Sequence, residues 1–310
     1  MTMAFVLLGA ALSLGSYLAA STVASVLVAI LWPRARRGGA RLDLLRALPS
    51  AAGAAVALGL VLPSYLAFEP AGLAEPIGLP LAVAATAAAL LVVASAARAA
   101  RVARATHATV RAWMDGSAPC DIPGGLPIPA STIAHTFPLV AVAGLVRPRL
   151  LIARQVVETL SAAELRAVAE HEMAHLESRD NLRTLLRYAY PDVLSWLPEG
   201  KRMMADVDQE TEIRADARAA EGGMAVDLAA ALIKVARLAP PGRLAVPLAA
   251  LHDGGSISER VERLLSDRPG APPRRSVGVA VLLAVIPLAL FAAPILFAVH
   301  QAAELAVRFL

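Results

Sequence analysis

Cysteine and charge are both scarce in this chain. Cys120 is the only thiol among 310 residues, which excludes an intramolecular disulfide and a zinc site built from several cysteines. Asp, Glu, Lys and Arg together make up 17% of the residues, against about 25% in soluble domains. Apolar residues reach 57% and the mean hydropathy is +0.61, so the composition predicts a protein of the lipid bilayer.

Long apolar runs account for this excess. Four of them lack Asp, Glu, Lys and Arg over a length that can cross a bilayer, which takes roughly 20 residues. They predict transmembrane helices at about residues 4–32, 47–68 and 76–97, and a fourth between Arg275 and Glu304, kinked at its prolines. The first run has no basic residues before it, so we expect a retained span and not a cleaved signal peptide.

Arginine clusters at the ends of these runs predict the orientation in a cell membrane, either inner or plasma. They are Arg34, Arg36, Arg37, Arg41 and Arg46 in the first loop, Arg98, Arg101, Arg104 and Arg111 after the third run, and Arg268, Arg274 and Arg275 before the fourth. The loop at 69–75 carries only acidic charges. Because basic loops stay in the cytoplasm, both termini are expected outside. The net charge is +4, and the arginines flank the apolar runs. This position is typical of a membrane protein, so no nucleic-acid partner is expected.

Three regions follow from these assignments. Residues 1–104 hold three spans, 105–274 form a cytoplasmic domain, and 275–310 hold the fourth span with a short external tail. Residues 98–113 are expected to prolong the third span as a basic helix. Two β-rich runs near 138–143 and 149–153 flank a Gly–Pro turn and predict a small antiparallel sheet. The expected fold is mainly α, with an α+β cytoplasmic domain.

Two histidines stand four residues apart in AVAEHEMAHLESRDN, residues 167–181. Ser161 and Glu164 form a capping-box pattern that starts a helix here, so His171 and His175 project the same way and can share one metal ion. Glu172 lies at the edge of that face, within reach of a metal-activated water. A helix surface with incidental histidines is the plain alternative, but the capped helix favours a site for one zinc ion per chain.

A third ligand is offered by DVDQETEIRADARAA, residues 206–220. Glu212 and Asp216 share a helical face, so one can bind metal while the other supports a ligating histidine. Spacing alone favours Glu212 over Glu210 only slightly. A solvated acidic face, paired with neighbouring arginines, would produce the same pattern. His135 and His252 are weaker candidates for a group that stabilises an oxyanion.

The stretches GLVRPRLLIARQVVETLSAAELRAVAEHEMAH, RDNLRTLL, EIRAD and ERVERLL together resemble the BlaR/MecR-type integral membrane zinc metallopeptidases. The similarity covers roughly residues 130–266 and the order of spans. It implies a gluzincin-like protease domain in which His171, His175 and Glu212 bind zinc. It also implies that Glu172 is the catalytic base and that Asp216 is the supporting acid.

The resemblance implies a zinc metalloendopeptidase that cleaves a cytoplasmic or membrane-proximal protein, by repressor cleavage or self-cleavage. Sensors of that family continue into an external penicillin-binding domain, whereas this chain ends at Leu310, so β-lactam sensing by this polypeptide is not expected. A separate sensor or regulatory protein and a homo-oligomer both stay open. HtpX-type quality-control proteases place spans between the two motifs, which the charged residues 176–211 disfavour. A non-proteolytic regulator stabilised by zinc is the remaining alternative.

Overall fold

The computed structural model describes residues 2–37, 41–70, 76–238, 257–266 and 292–309. Of the described residues, 77% are helical, and the same residues form one small mixed sheet. The chain divides into two compact units. The first contains Met1–Ala96, Tyr190–Met203 and Pro272–Leu310, and the second contains Ala97–Ala189 and Met204–Ala271.

The described helices follow one another in chain order. They are α1 (Met3–Arg37), α2 (Leu42–Val56), α3 (Leu62–Phe68), α4 (Leu79–Met114), α5 (Arg154–Thr159), α6 (Ala162–Glu177), α7 (Asp180–Ala189), α8 (Pro198–Glu221), α9 (Ala225–Leu238), α10 (Ile257–Leu265) and α11 (Ala292–Phe309). A π-helical segment, Ala57–Val61, joins α2 to α3 without a break. Pro63 follows it and has no N–H to donate, which favours this local widening of the helix.

Within the described residues, three helices are long and apolar enough to cross a membrane. They are Met3–Arg37, the continuous helix Leu42–Phe68, and Leu79–Met114, with mean hydropathies of 1.9, 1.8 and 2.2. The first three predicted spans therefore fall on candidate membrane helices, and α4 continues past Arg98 as the predicted basic helix. Most of the fourth predicted span lies outside the described residues, and α11 covers its last part.

Within the first unit, α1 approaches α2 and α3 closely because two glycines face aromatic rings. A Cβ at Gly9 would lie 2.7 Å from the ring of Tyr65, and one at Gly53 would lie 2.8 Å from the ring of Tyr17. The Tyr65 hydroxyl donates a hydrogen bond to the Phe5 carbonyl at 2.7 Å. Small residues at such crossings let helix backbones pack tightly where lipid supplies no hydrophobic driving force.

A buried ion pair also belongs to the first unit. Arg46 on α2 and Asp192 are 1% and 0% exposed, and Nη1 donates to Oδ2 at 2.9 Å. Ser50 donates to the same carboxylate at 2.8 Å, and Arg46 Nη2 donates to Ser195 at 2.7 Å. Asp192 also caps the 3₁₀ turn Val193–Trp196 through the N–H of Ser195. Both charges are thus paired and hydrogen-bonded, as burial requires.

The second unit contains a four-stranded sheet. Its strands are β1 (Ala118–Pro119), β2 (Ala130–Ile133), β3 (Val140–Ala143) and β4 (Arg149–Ala153), in the spatial order β1-β2-β4-β3. The predicted hairpin is confirmed, since β3 and β4 pair antiparallel. A wholly antiparallel sheet is wrong, because β2 pairs parallel with β4. The strand β2 has four residues next to a Gly- and Pro-rich stretch, too short for an alternation pattern to reveal it.

The core of this unit lies between the sheet and the helices. The side chains of Leu150, Leu151, Ile152 and Ala153 on β4 are completely buried. Helix α6 packs against both β3 and α9. The predicted capping box starts α6, because Ser161 accepts from the N–H of Glu164 and the Glu164 side chain accepts from the N–H of Ser161. The position of α6 on the sheet brings Glu172 next to the edge strand β3.

Candidate metal centre

Helix α6 places the two histidines of the motif on one face. The ring centroids of His171 and His175 lie 4.8 Å apart, and their Nε2 atoms face each other at 3.2 Å. His171 is 1% exposed, while His175 is partly buried. The spacing of four residues therefore brings the two imidazoles together as the sequence predicts.

Helix α8 supplies a carboxylate to the same point. Glu212 Oε2 lies 3.5 Å from His171 Nε2, and Glu212 Oε1 lies 3.5 Å from His175 Nε2. One donor atom from each of these three residues lies within 4.8 Å of the others, so the group could hold a metal ion. The neighbouring Glu210 is not a member of this group. Of the two glutamates that the sequence left open, Glu212 is the one that meets the histidines.

Two further carboxylates stand behind the histidines. His175 Nδ1 lies 2.9 Å from Asp180 Oδ2, and His171 Nδ1 lies 3.2 Å from Asp216 Oδ1. A carboxylate accepts a proton donor, so each contact favours the tautomer with hydrogen on Nδ1. When both rings are neutral, their Nε2 lone pairs face each other beside Glu212. Two imidazole nitrogens and one carboxylate oxygen are a donor set that zinc accepts, with a coordination position left for water.

The electrostatics of the cluster hold its acids ionised. Burial opposes charge on His171, but the carboxylates of Asp216 and Glu212 outweigh it and raise the pKa of that ring to about 9. Burial likewise opposes the charge on His175, and Asp180 and Glu212 raise its pKa. For Glu212 and Asp216, burial would raise the pKa, but His171 and Arg260 lower it. The lowered pKa values keep the Glu212 and Asp216 carboxylates ionised, and an ionised carboxylate is the form that binds a cation.

Glu172 is buried between α6 and the edge strand β3. Its Oε2 accepts a hydrogen bond from the Val142 N–H at 3.1 Å, and Asn181 Nδ2 donates to the Val142 carbonyl at 2.9 Å. Burial raises the pKa of Glu172, and the two neighbouring histidines partly offset that effect. A carboxylate with a raised pKa beside a potential metal site is suited to accept a proton.

Three contributors to the site were missed by reasoning from the sequence. Asp180 and Asn181 stand at the start of α7, just after the turn in which Arg179 has φ of 54°. Both residues belong to RDNLRTLL, one of the stretches that resemble the BlaR/MecR-type peptidases. Helical spacing, however, does not predict contacts made across a turn. Arg260, 44 residues from Asp216, donates to that carboxylate from α10. A contact at such separation leaves no local pattern.

His135 takes no part in the cluster. Its Nδ1 lies 3.1 Å from the Phe137 carbonyl, and its ring stands edge-on to Trp113 with centroids 5.3 Å apart. His252 lies outside the described residues.

Comparisons with known proteins add no relative. No protein-family model matches the chain, and no curated protein matches it.

Proposed function

We propose that the protein is a membrane-embedded zinc metalloendopeptidase. The observation that carries the proposal is the convergence of His171, His175 and Glu212, with Glu172 buried beside them. Catalytic zinc sites commonly use three protein ligands and leave one position for water, whereas structural sites close with four, often cysteines. This donor set has three members and no cysteine. The resemblance to the BlaR/MecR-type peptidases points the same way.

In this proposal each side chain has a defined task. Zinc held by the three ligands would act as a Lewis acid on water and on the scissile carbonyl. Glu172 accepts a proton from the attacking water and passes it to the leaving amine as the peptide C–N bond breaks. Asp180 and Asp216 hold the imidazole rings in the ligating tautomer. The Val142 N–H keeps the Glu172 carboxylate oriented between α6 and β3.

An extended segment of a protein is the proposed substrate. Strand β3 is at the edge of the sheet and next to α6. The N–H and the carbonyl of Val142 at this edge bond Glu172 and Asn181, so a substrate strand that pairs here would replace those two contacts. Backbone pairing satisfies the polar groups of a peptide irrespective of its sequence. Such pairing suits an endopeptidase whose selectivity comes from a few side-chain contacts and from which protein segments can reach the site.

The cellular setting is part of the same proposal. Three helices long and apolar enough to cross a membrane make this a membrane protein. Positive charge in the predicted loops supports a position of the metal centre on the cytoplasmic side of the cell membrane. A role in regulated proteolysis follows, with a repressor, a membrane protein or the chain itself as substrate, and with a separate sensor or a second copy of the chain as regulatory partner.

Comparing the proteomes of cells that carry wild type or Glu172→Gln tests this function. The variant keeps all three ligands and removes the base, so membrane insertion and metal content are expected to stay unchanged. Proteins cleaved by wild type should accumulate uncut in the variant. Identical proteomes, with both proteins present at equal levels, would favour a regulator that uses metal only for structure.

A further inference from the structure

Arg260 connects Glu212 and Asp216, two of the acidic residues of α8. It lies on α10 and is 3% exposed. Its Nε donates to Asp216 Oδ2 at 2.9 Å, and its Nη2 donates to Asp216 Oδ1 at 2.7 Å. The remaining nitrogen, Nη1, lies 2.9 Å from Glu212 Oε2. One planar guanidinium thus contacts a candidate ligand and the acid that supports His171.

The four carboxylate oxygens of Glu212 and Asp216 differ in whether they contact the guanidinium of Arg260. Both oxygens of Asp216 and one of Glu212 meet the guanidinium, while Glu212 Oε1 lies 3.5 Å from His175 Nε2. Glu212 and Asp216 are one helical turn apart on α8, so both can in principle turn toward the same cation. The bidentate contact with Arg260 keeps both oxygens of Asp216 from turning toward a cation. The contact with Nη1 leaves Glu212 one oxygen, Oε1, that does not contact the guanidinium.

This restriction has a chemical consequence for the choice of metal. Zinc in proteins is four-coordinate in most sites and accepts imidazole nitrogen with few oxygens. Manganese, magnesium and calcium prefer six or more ligands, most of them carboxylate or carbonyl oxygens. If both acids were free, their oxygens could complete such a shell around two imidazoles.

From these contacts we infer that Arg260 is a positioning residue that selects the metal. It holds Asp216 outside the coordination shell and Glu212 in single-oxygen binding, so the centre takes a four-coordinate ion in preference to an oxygen-seeking, six-coordinate one. The inference deepens the proposed function and rests on its metal centre. An ion pair that only fastened α10 to α8 would not determine which metal binds.

The chain offers a matched control on the same helix. Arg263 lies three residues after Arg260, and its Nη1 is buried without a hydrogen-bond partner among the described residues. Arg260→Gln and Arg263→Gln therefore remove the same charge from the same helix. Only the first removes the contacts to Asp216 and Glu212.

The experiment uses the full-length protein in detergent, loaded with Zn²⁺, Mn²⁺ or Co²⁺. Competition titrations give the ratio of the Mn²⁺ to the Zn²⁺ dissociation constant, and the visible spectrum of bound Co²⁺ reports coordination number, since four-coordinate Co²⁺ absorbs far more strongly than six-coordinate Co²⁺. Arg260→Gln is expected to shift the ratio toward Mn²⁺ by about tenfold or more and to weaken the Co²⁺ absorption. Wild type and Arg263→Gln should keep the intense spectrum.

Arg260→Lys provides a second, milder variant, because a lysine keeps the charge but cannot contact three oxygens. An intermediate ratio would support the inference. An unchanged ratio and Co²⁺ spectrum in Arg260→Gln would overturn it, as would equal changes in Arg263→Gln or uniform loss of all metals in both Arg260 variants. Wild type that binds metal and cleaves nothing would overturn the protease proposal alone. Wild type that binds no metal would overturn both.

Discussion

His175 and Asp180 are joined through a turn, with Nδ1 of the histidine 2.9 Å from Oδ2 of the aspartate. Helix α6 ends at Glu177, and the positive φ of Arg179 redirects the chain so that Asp180 begins α7 beside the histidine it supports. The same short stretch therefore supplies a candidate ligand, its orienting acid and, at Asn181, a donor to the edge strand.

Asp180→Asn should weaken zinc binding. The amide cannot accept the Nδ1 proton as strongly as a carboxylate, so the ligating tautomer of His175 becomes less favoured. We expect a loss of about 10–100-fold in zinc affinity, measured by competition with a chromogenic chelator. Asp121→Asn, an exposed acid in the same unit, is the control and should bind zinc like wild type. Equal affinity in the two variants would remove Asp180 from the site.

Substitutions at Glu212, Asp216 and Glu210 should reduce proteolysis and zinc binding to different degrees, most at Glu212 and least at Glu210. Glu212→Gln is expected to abolish proteolysis and to lower zinc content, because it removes the ligating charge. Asp216→Asn should lower affinity or activity by about 10–100-fold through its effect on His171. Glu210→Gln should leave both nearly intact. Metal analysis and a cleavage assay on the three variants measure this order, and greater damage from Glu210→Gln than from Glu212→Gln would contradict the assignment.

Zinc binding should release protons and strengthen as the pH rises. The pKa of His171 is raised to about 9, so in the metal-free protein the ring is protonated at pH 7 and must lose its proton to bind zinc. The pKa of His175 is raised as well. We expect a release of at least about one proton per zinc at pH 7, falling as the pH approaches 9. Calorimetry in buffers of different ionisation enthalpy measures it, and a buffer-independent enthalpy would contradict the prediction.

The Arg46–Asp192 pair should matter for the stability of the first unit. Both side chains are fully buried, so Arg46→Ala leaves an uncompensated carboxylate and is expected to cost about 3–5 kcal/mol. Replacing both residues, as Arg46→Met with Asp192→Leu, should cost much less, because no charge is left unpaired. Thermal unfolding in detergent compares them. A double variant less stable than Arg46→Ala would show that the pair itself is strongly stabilising.

Local patterns predicted the parts of this protein that depend on near neighbours. The apolar runs predicted three of the helices, the capping box predicted the start of α6, and the spacing of His171 and His175 predicted their shared face. The parallel pairing of β2 with β4 and the contacts of Arg260 join residues distant in sequence. These contacts depend on the tertiary packing of distant segments, which periodicity and spacing do not predict.

Peptide cleavage by the purified protein is the measurement that tests the central claim most directly. Wild type in detergent or proteoliposomes is incubated with a peptide library made from a proteome, and new N-termini are identified by mass spectrometry. We expect new termini with the zinc-loaded wild type, none after zinc is removed by chelation, and none with Glu172→Gln that still holds about one zinc per chain. Cleavage by Glu172→Gln at the wild-type rate, or no cleavage by zinc-loaded wild type, would contradict it.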